Sequence, residues 1–387
     1  MKIKFLLFIG LSFQFLYCKK EEIKAGITYE HVQQEKPDRL SMHIVTLDLK
    51  KVDISLERAL GGKMNREEPS SIASRTGAVV ACNGANYRRG GRYNGNQLNL
   101  CLMYGKVFND PQFARGVIAW NKAGSVIIEQ LKLNWHCKIG SLELPVDRIN
   151  QPKALHEKIL YNSTFNTHTL TDKNSTDIVI KDGKVIALKK GGNAKIPSHG
   201  YVYSCDSEDT LLAKITVGAP VSVDFTYNSA DTADEMWRSM DFILGGAGLI
   251  LKHGEVVTNF DQEFTNGKQI LHSHDEAAAD FHNDQERNWL VNKRHPRTAL
   301  GIQENGTIVL VVVDGRKPEH SVGMTLPELG AYMKSLGCKD ALNLGGGGCS
   351  ALYIVDKIVN EVSGSEIQGS FSAQERPVSE AFIVMPK

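Results

Sequence analysis

The sequence predicts an α+β fold: mixed β-sheets with connecting helices. Three observations carry this. Short β-rich runs recur along most of the 387 residues, turn residues separate them, and helical patterning is confined to a few short stretches rather than alternating as βαβ units. A chain of this length can bury a sizeable core as one large domain or two joined lobes. With 45 Lys and Arg against 44 Asp and Glu, and no basic block, the composition argues against nucleic acid as a partner.

At the N-terminus, Lys2 and Lys4 precede an apolar run from Phe5 to Phe15. It is too short to span a bilayer and has the character of a secretory signal. It ends at Leu16, Tyr17 and Cys18, followed by Lys19, Lys20, Glu21 and Glu22, which resembles a bacterial lipoprotein signal with Cys18 lipidated. The expected organisation is a signal over residues 1–18, a tether over 19–27, a strand-containing extension over 28–69 and the main domain over 70–387. That places the protein in the cell envelope, membrane-anchored through its lipid; the alternative is a secreted or periplasmic protein. Beyond Cys18, six cysteines remain: Cys82, Cys101, Cys137, Cys205, Cys338 and Cys349. They allow up to three disulfides, and a Cys338–Cys349 bridge would pin the glycine run between them; the other reading is small buried hydrophobes.

Ser41 to Leu49 reads as a strand, and Gly77 to Cys82 as a short buried strand emerging at Asn83 and Gly84. Arg88 to Gly95 is a basic, glycine-containing loop, either a solvated turn or a cover for an anionic ligand. Gly116 to Leu133, broken at Asn121 to Ser125, and Ile178 to Leu188, with Asp182 and Gly183 at its turn, read as hairpins. Asp231 to Met240 predicts a short helix, and Phe242 to Leu244 a strand entering a glycine cluster at Gly245 and Gly246. Phe260 to Asn292 is polar, with metal-capable groups at His272, His274, Asp275 and His282. It is read as a solvated insertion, without a metal site; a divalent cation on Asp275 or Asp284 is left open.

The stretch Arg294 to Ser350 is the most informative. Thr298 to Ile302 and Ile308 to Val313 predict a hairpin around Asn305 and Gly306, the second strand apolar throughout and so central. Thr325 and Glu328 form a capping-box pattern ahead of Leu326, Leu329, Met333 and Leu336 at helical spacing, with Gly337 to close the helix. Ala341 to Leu344 then leads into Gly345, Gly346, Gly347 and Gly348, followed by Cys349 and Ser350. Four successive glycines serve either as a nest of backbone N–H groups for an anion or as a tight turn between packed strands.

RHPRTALGI, VVVDGR, SVGMTLPELGAYM, DALNLGGGGCSALYI and ERPVSEAFIV, in that order, closely resemble the phosphodiester glycosidase family, as do CNGANY and LGGAGLILKHGE upstream. The resemblance spans roughly residues 70 to 385 and implies cleavage of the glycosidic bond of a sugar-1-phosphodiester in a phosphorylated glycan or glycolipid. It implies Asp314, Glu375 and His295 as acid, base or orienting groups. Asn83, Arg294, Arg297, Thr298, Arg316, Gly345 to Gly348 and Ser350 would bind substrate or phosphate. Cys338, Cys349, Gly245 and Gly246 would be structural. Two motifs depart from the family: Gly345 stands where the family carries Asp and Cys349 where it carries Ser, and Asn83-Gly84-Ala85-Asn86-Tyr87 replaces an Asn-Gly-Gly-Phe-Phe type motif. The missing carboxylate raises the alternative of a noncatalytic envelope glycan-binding protein on the same scaffold.

Overall fold

A computed structural model describes residues 14–62, 64–111, 113–260, 263, 284–363, 366–367, 370–371 and 373–387. The predicted hairpin of Arg297–Gln303 and Ile308–Val313 forms, with every residue of the second strand buried. Burial on both faces requires neighbours on both edges, and the N-terminal strands supply them. Leu40–Leu47 pairs with Ile308–Val313, Ile27–Lys36 with Leu40–Leu47, and Gln14–Lys24 lies at the edge. On the other side follow Cys338–Asn343, Leu249–Lys252 and Glu255–Val256, completing an antiparallel sheet of eight strands.

A second sheet, of five strands, runs Lys357–Ile358, Leu352–Ile354, Val80–Asn83, Glu380–Pro386 and Val52–Arg58. The two sheets share a core in which Val45, Leu300 and Leu310 meet Val80, Leu352 and Phe382. Helix Leu326–Ser335 covers the other face of the large sheet. Its capping box forms as expected, Thr325 Oγ1 accepting from Glu328 N while Glu328 accepts from Thr325 N, and Leu326, Leu329 and Met333 are buried. The middle of the chain builds two further mixed or antiparallel sheets around Arg115–Trp120, Val126–Ile139 and Ser175–Lys181. Their core includes Leu131, Ile178 and Trp237.

Two expectations are corrected. Cys18 is a mid-strand residue, its Cα opposite Val32 and its thiol 3.0 Å from Glu30 Oε1, within the ladder that also takes up the supposed tether as far as Lys24. Among the described residues no helix is long and apolar enough to cross a membrane. The membrane anchor through a lipidated Cys18, and with it the anchored-lipoprotein location, is therefore overturned; residues 1–13 lie outside the described residues. All seven cysteines are free thiols, so no disulfide forms. Cys338 packs in the core with Met333 beneath the helix, whereas Cys349 belongs to another cluster with Tyr87, and those separate burials keep the proposed pair apart.

Candidate active site

The glycine run is the crossover from the eight-stranded to the five-stranded sheet, joining strands Cys338–Asn343 and Leu352–Ile354. Asn83, fully buried at the end of its strand, ties both sheets to it. Its Nδ2 donates to the carbonyls of Gly345 (2.6 Å) and Gly84 (3.0 Å), and its Oδ1 accepts from Thr298 Oγ1 (2.8 Å). Residues 262 and 215 positions apart thus meet through one amide.

Gly345, Gly346 and Gly347 each face atoms that a side chain would crowd. A Cβ at Gly345 would lie 2.9 Å from the Gly84 carbonyl oxygen and 3.0 Å from that of Ala85, and one at Gly346 would lie 3.0 Å from the Pro296 oxygen. Gly347 has φ +63°, and a Cβ there would lie 2.8 Å from Nη2 of Arg316. The run therefore lets a guanidinium approach bare backbone. It is not an open nest. Gly345 N donates to Gly84, Gly347 N to Pro296, Cys349 N to Gly346 and Ser350 N to Gly347.

Arginines gather at the C-terminal side of the run. Beyond Arg316, Arg376 Nη1 lies 3.6 Å from Cys349 Sγ, which is 3.5 Å from the Tyr87 hydroxyl. Arg89 lies close by: burial first, then the charge of Arg376, lowers its pKa. Burial and Cys349 raise that of Tyr87. The other arginines of the predicted set are differently engaged. Arg294 pairs with Asp38 (2.7 Å) and Glu328 (2.5 Å), binding the N-terminal strands to the helix. Arg297 is buried, donating to the carbonyls of Met324, Leu290 and Lys293; burial and nearby Arg316 disfavour its charged form.

The three acid-base candidates also separate. Glu375 Oε2 accepts from Ser70 N (3.0 Å), satisfying an orphan donor at the start of helix Pro69–Thr76. His295 Nε2 lies 3.1 Å from the Trp289 carbonyl, its ring against that indole. Asp314, 1% exposed, ends the central strand. Its Oδ2 takes His320 Nε2 (2.8 Å) and His43 Nε2 (3.3 Å), and its Oδ1 takes Asn360 Nδ2 and the Glu361 N–H (each 3.1 Å). Burial opposes its charge, but these donors prevail and hold its pKa well below the usual carboxylate range. Asn360 Nδ2 also reaches the Ser350 carbonyl (3.3 Å), linking Asp314 to the glycine run. Ser350 Oγ is buried and has no hydrogen-bond partner among the described residues.

His43, His320, Asn360 and Glu380 were missed by sequence reasoning. Glu380 carried one signal, an acid opening the otherwise apolar strand Glu380–Pro386. Its Oε1 accepts from Ala85 N (2.8 Å), on the same turn that blocks Gly345, and burial raises its pKa. The second glycine cluster backs directly onto this region: Gly246 lies against Leu342 and Asn343. Among the described residues no group of three or more His, Cys, Asp or Glu is arranged to hold a metal ion. His272, His274, Asp275 and His282, and the side chain of Asp284, lie outside the described residues.

Comparison with known proteins agrees with this architecture. A protein from Synechocystis superposes with a TM-score of 0.77 at 20% identity, over 96% of this chain and 64% of that one. A protein from Burkholderia pseudomallei gives 0.73 at 20% identity, over 90% and 74%. At that identity these show the fold alone. The prophage-derived protein YomE of Bacillus subtilis is 38% identical over 73 residues, 19% of this chain and 11% of that protein. The chain thus spans less than two thirds of the first structure and of this relative. Residues 162–385, more than half of the chain and including the glycine run, Arg316, Asp314 and Glu380, match the model of one family. The chain belongs to the phosphodiester glycosidase family.

Proposed function

We propose that the protein hydrolyses the glycosidic bond of a sugar-1-phosphodiester carried by a glycan or glycolipid. One observation carries this reading: the Arg316 guanidinium lies against Gly347 where any side chain would displace it. A guanidinium held against bare backbone has its donors fixed in direction, as recognition of a planar or tetrahedral oxyanion requires. In the reaction, water oxygen bonds to the anomeric carbon and the carbon–oxygen bond to phosphate breaks, its electron pair staying with the phosphomonoester. Charge grows on phosphate as this bond breaks. Arg316, with Arg89 and Arg376 across Cys349, would stabilise it. Of the three predicted acid-base residues, Asp314 is the one linked to the run, through Asn360, as a carboxylate held ionised by its donors.

The second reading, a glycan-binding protein without turnover, is favoured by Gly345. Its Cβ direction is filled by the Gly84 and Ala85 carbonyls, so an Asp there would have to push backbone aside. The test is release of free sugar and phosphomonoester from a panel of sugar-1-phosphodiesters by the full chain and by Arg316→Ala. Turnover that falls at least about a hundredfold in Arg316→Ala supports the enzyme. Saturable binding of the diesters with no turnover selects the second reading.

A further inference from the structure

The strands preceding the matched family segment contribute side chains to Asp314 that the proposed reaction has not used. Strand Leu40–Leu47 carries His43 and strand Ile27–Lys36 carries Tyr29 and His31. His43 Nδ1 is 2.8 Å from the Tyr29 hydroxyl, and its Nε2 is 3.3 Å from Asp314 Oδ2. An ionised carboxylate only accepts, so His43 Nε2 carries the proton and Nδ1 accepts from Tyr29. His31 stacks on the His43 ring, centroids 4.3 Å apart and planes 9° from parallel, and its Nε2 meets Ser41 Oγ at 3.0 Å. Both His43 and Asp314 are sealed, at 2% and 1% exposure, while the His320 side chain is 27% exposed. His320 is the partly exposed member that touches Asp314 directly; His31, also partly exposed, reaches it only through the His43 ring.

By the same logic His320 donates through Nε2 to Asp314, which leaves Nδ1 as the nitrogen able to take a proton. Residues facing His320 are Asp314, Glu361 (Oε2 at 3.4 Å) and Lys317, the last paired with Glu361. His43 and, behind it, His31 complete the charged or titratable surroundings. A carboxylate behind an imidazole fixes its tautomer and stabilises the cation formed when it takes a proton. Asn360 joins the same carboxylate to Ser350, and Arg316 lies two residues along the chain from Asp314.

We propose that His320 is the base of this site, with Asp314 and His43 as its positioning residues, so that the N-terminal strands complete the catalytic apparatus. The inference rests on the hydrolytic reading above. Neutral His320 takes through Nδ1 the proton of the water whose oxygen bonds to the anomeric carbon. The imidazolium then returns that proton to solvent after the phosphomonoester leaves. Asp314 stays ionised throughout, and His43, donating to the oxygen that His320 also uses, shares its charge.

The sign of each perturbation follows. Hydrogen bonding to Asp314 raises the His320 pKa above its ordinary value, so turnover falls as pH drops through that raised value and His320 becomes charged. The experiment pairs an NMR titration of the His320 ring in the full chain with the pH–rate profile on the phosphodiester that turns over. Asp314→Asn should lower the His320 midpoint by about one pH unit. His43→Phe keeps the stacked ring but removes a donor from Asp314, so the His320 midpoint should rise; His43→Gln, which restores a donor, should bring it back. The acid limb of turnover should track each midpoint, and His320→Asn should abolish that limb along with most turnover.

A purely structural network would couple the midpoints and change the unfolding temperature, but the acid limb of turnover would not follow them. Should His43→Phe not fold, Asp314→Asn alone reports the coupling of the carboxylate to His320. An unmoved midpoint in the variants, or an acid limb that survives His320→Asn while turnover continues, overturns this proposal and leaves the hydrolytic reading standing. Coupled midpoints with no turnover of any diester overturn both the base assignment and that reading, leaving only the array.

Discussion

The two glycine clusters have similar sequences and opposite uses. Gly245 and Gly246 form a seam between sheets: their N–H groups donate to Leu100 and Gly116, and a Cβ at Gly246 would lie 2.4 Å from the Asn343 oxygen and 2.6 Å from Leu342 Cγ. Nothing there can yield except backbone and core. At Gly347 the neighbour is the end of a long side chain, Arg316. The first cluster is glycine because two sheets must touch; in the second, Gly345 and Gly346 also lie against backbone carbonyls, and Gly347 lets a charged group lie on the chain. Substitution should therefore cost stability at Gly246 and function at Gly347.

The largest expected effect is at the seam. Gly246→Ala forces Asn343 and Leu342 apart and should cost about 3 kcal/mol or more, read as a lower urea midpoint or loss of folded protein. An unchanged midpoint would break the contrast. Next comes Arg316→Ala, with turnover down at least about a hundredfold and stability within about 0.5 kcal/mol of the parent. Gly347→Ala should fall between them, losing about 1–2 kcal/mol from its left-handed backbone and displacing the guanidinium, so diester binding weakens with it. If Gly347→Ala binds and turns over normally, the close approach has no functional meaning.

A smaller effect distinguishes the two buried acids beside these clusters. The Glu380 pKa is raised by burial, so the folded state keeps its proton to higher pH than the unfolded chain. Stability from this group is present at low pH and is lost as pH rises from the ordinary carboxylate value to the folded one. Asp314 has the opposite sign: its depressed pKa stabilises the fold above the ordinary value and is lost as pH falls below it. Glu380→Gln should flatten the fall in the urea midpoint with rising pH, and Asp314→Asn should flatten the loss at acid pH. The smallest effect concerns the thiols. With all seven free, a reductant should move the unfolding temperature by no more than about half a kcal/mol equivalent.

Much of the fold was legible because its signals are short-range. The capping box at Thr325, the Asn305-Gly306 hairpin and the apolar strand Ile308–Val313 each depend on residues a few positions apart, and each forms as read. The strands on both sides of Asn121–Ser125, and the Asp182-Gly183 turn between Ser175–Lys181 and Lys184–Lys190, follow the same rule. Local patterning also misled. An apolar run ending at a cysteine reads as a lipoprotein signal, yet Cys18 lies in a strand because Ile27–Lys36 returns beside it. A glycine run reads equally as an anion nest or a tight turn, and four of the N–H groups between Gly345 and Ser350 are taken by carbonyls.

By itself, the sequence determined the fold class and the family, because periodicity, turn residues and ordered motifs survive in one dimension. Tertiary structure alone decided which side chains meet around the glycine run. Asn83 reaches Gly345 across 262 positions and His43 reaches Asp314 across 271. Such pairings leave no local pattern: they arise when distant strands join one sheet, and the cost of burying a charge without partners then selects which donors must surround it.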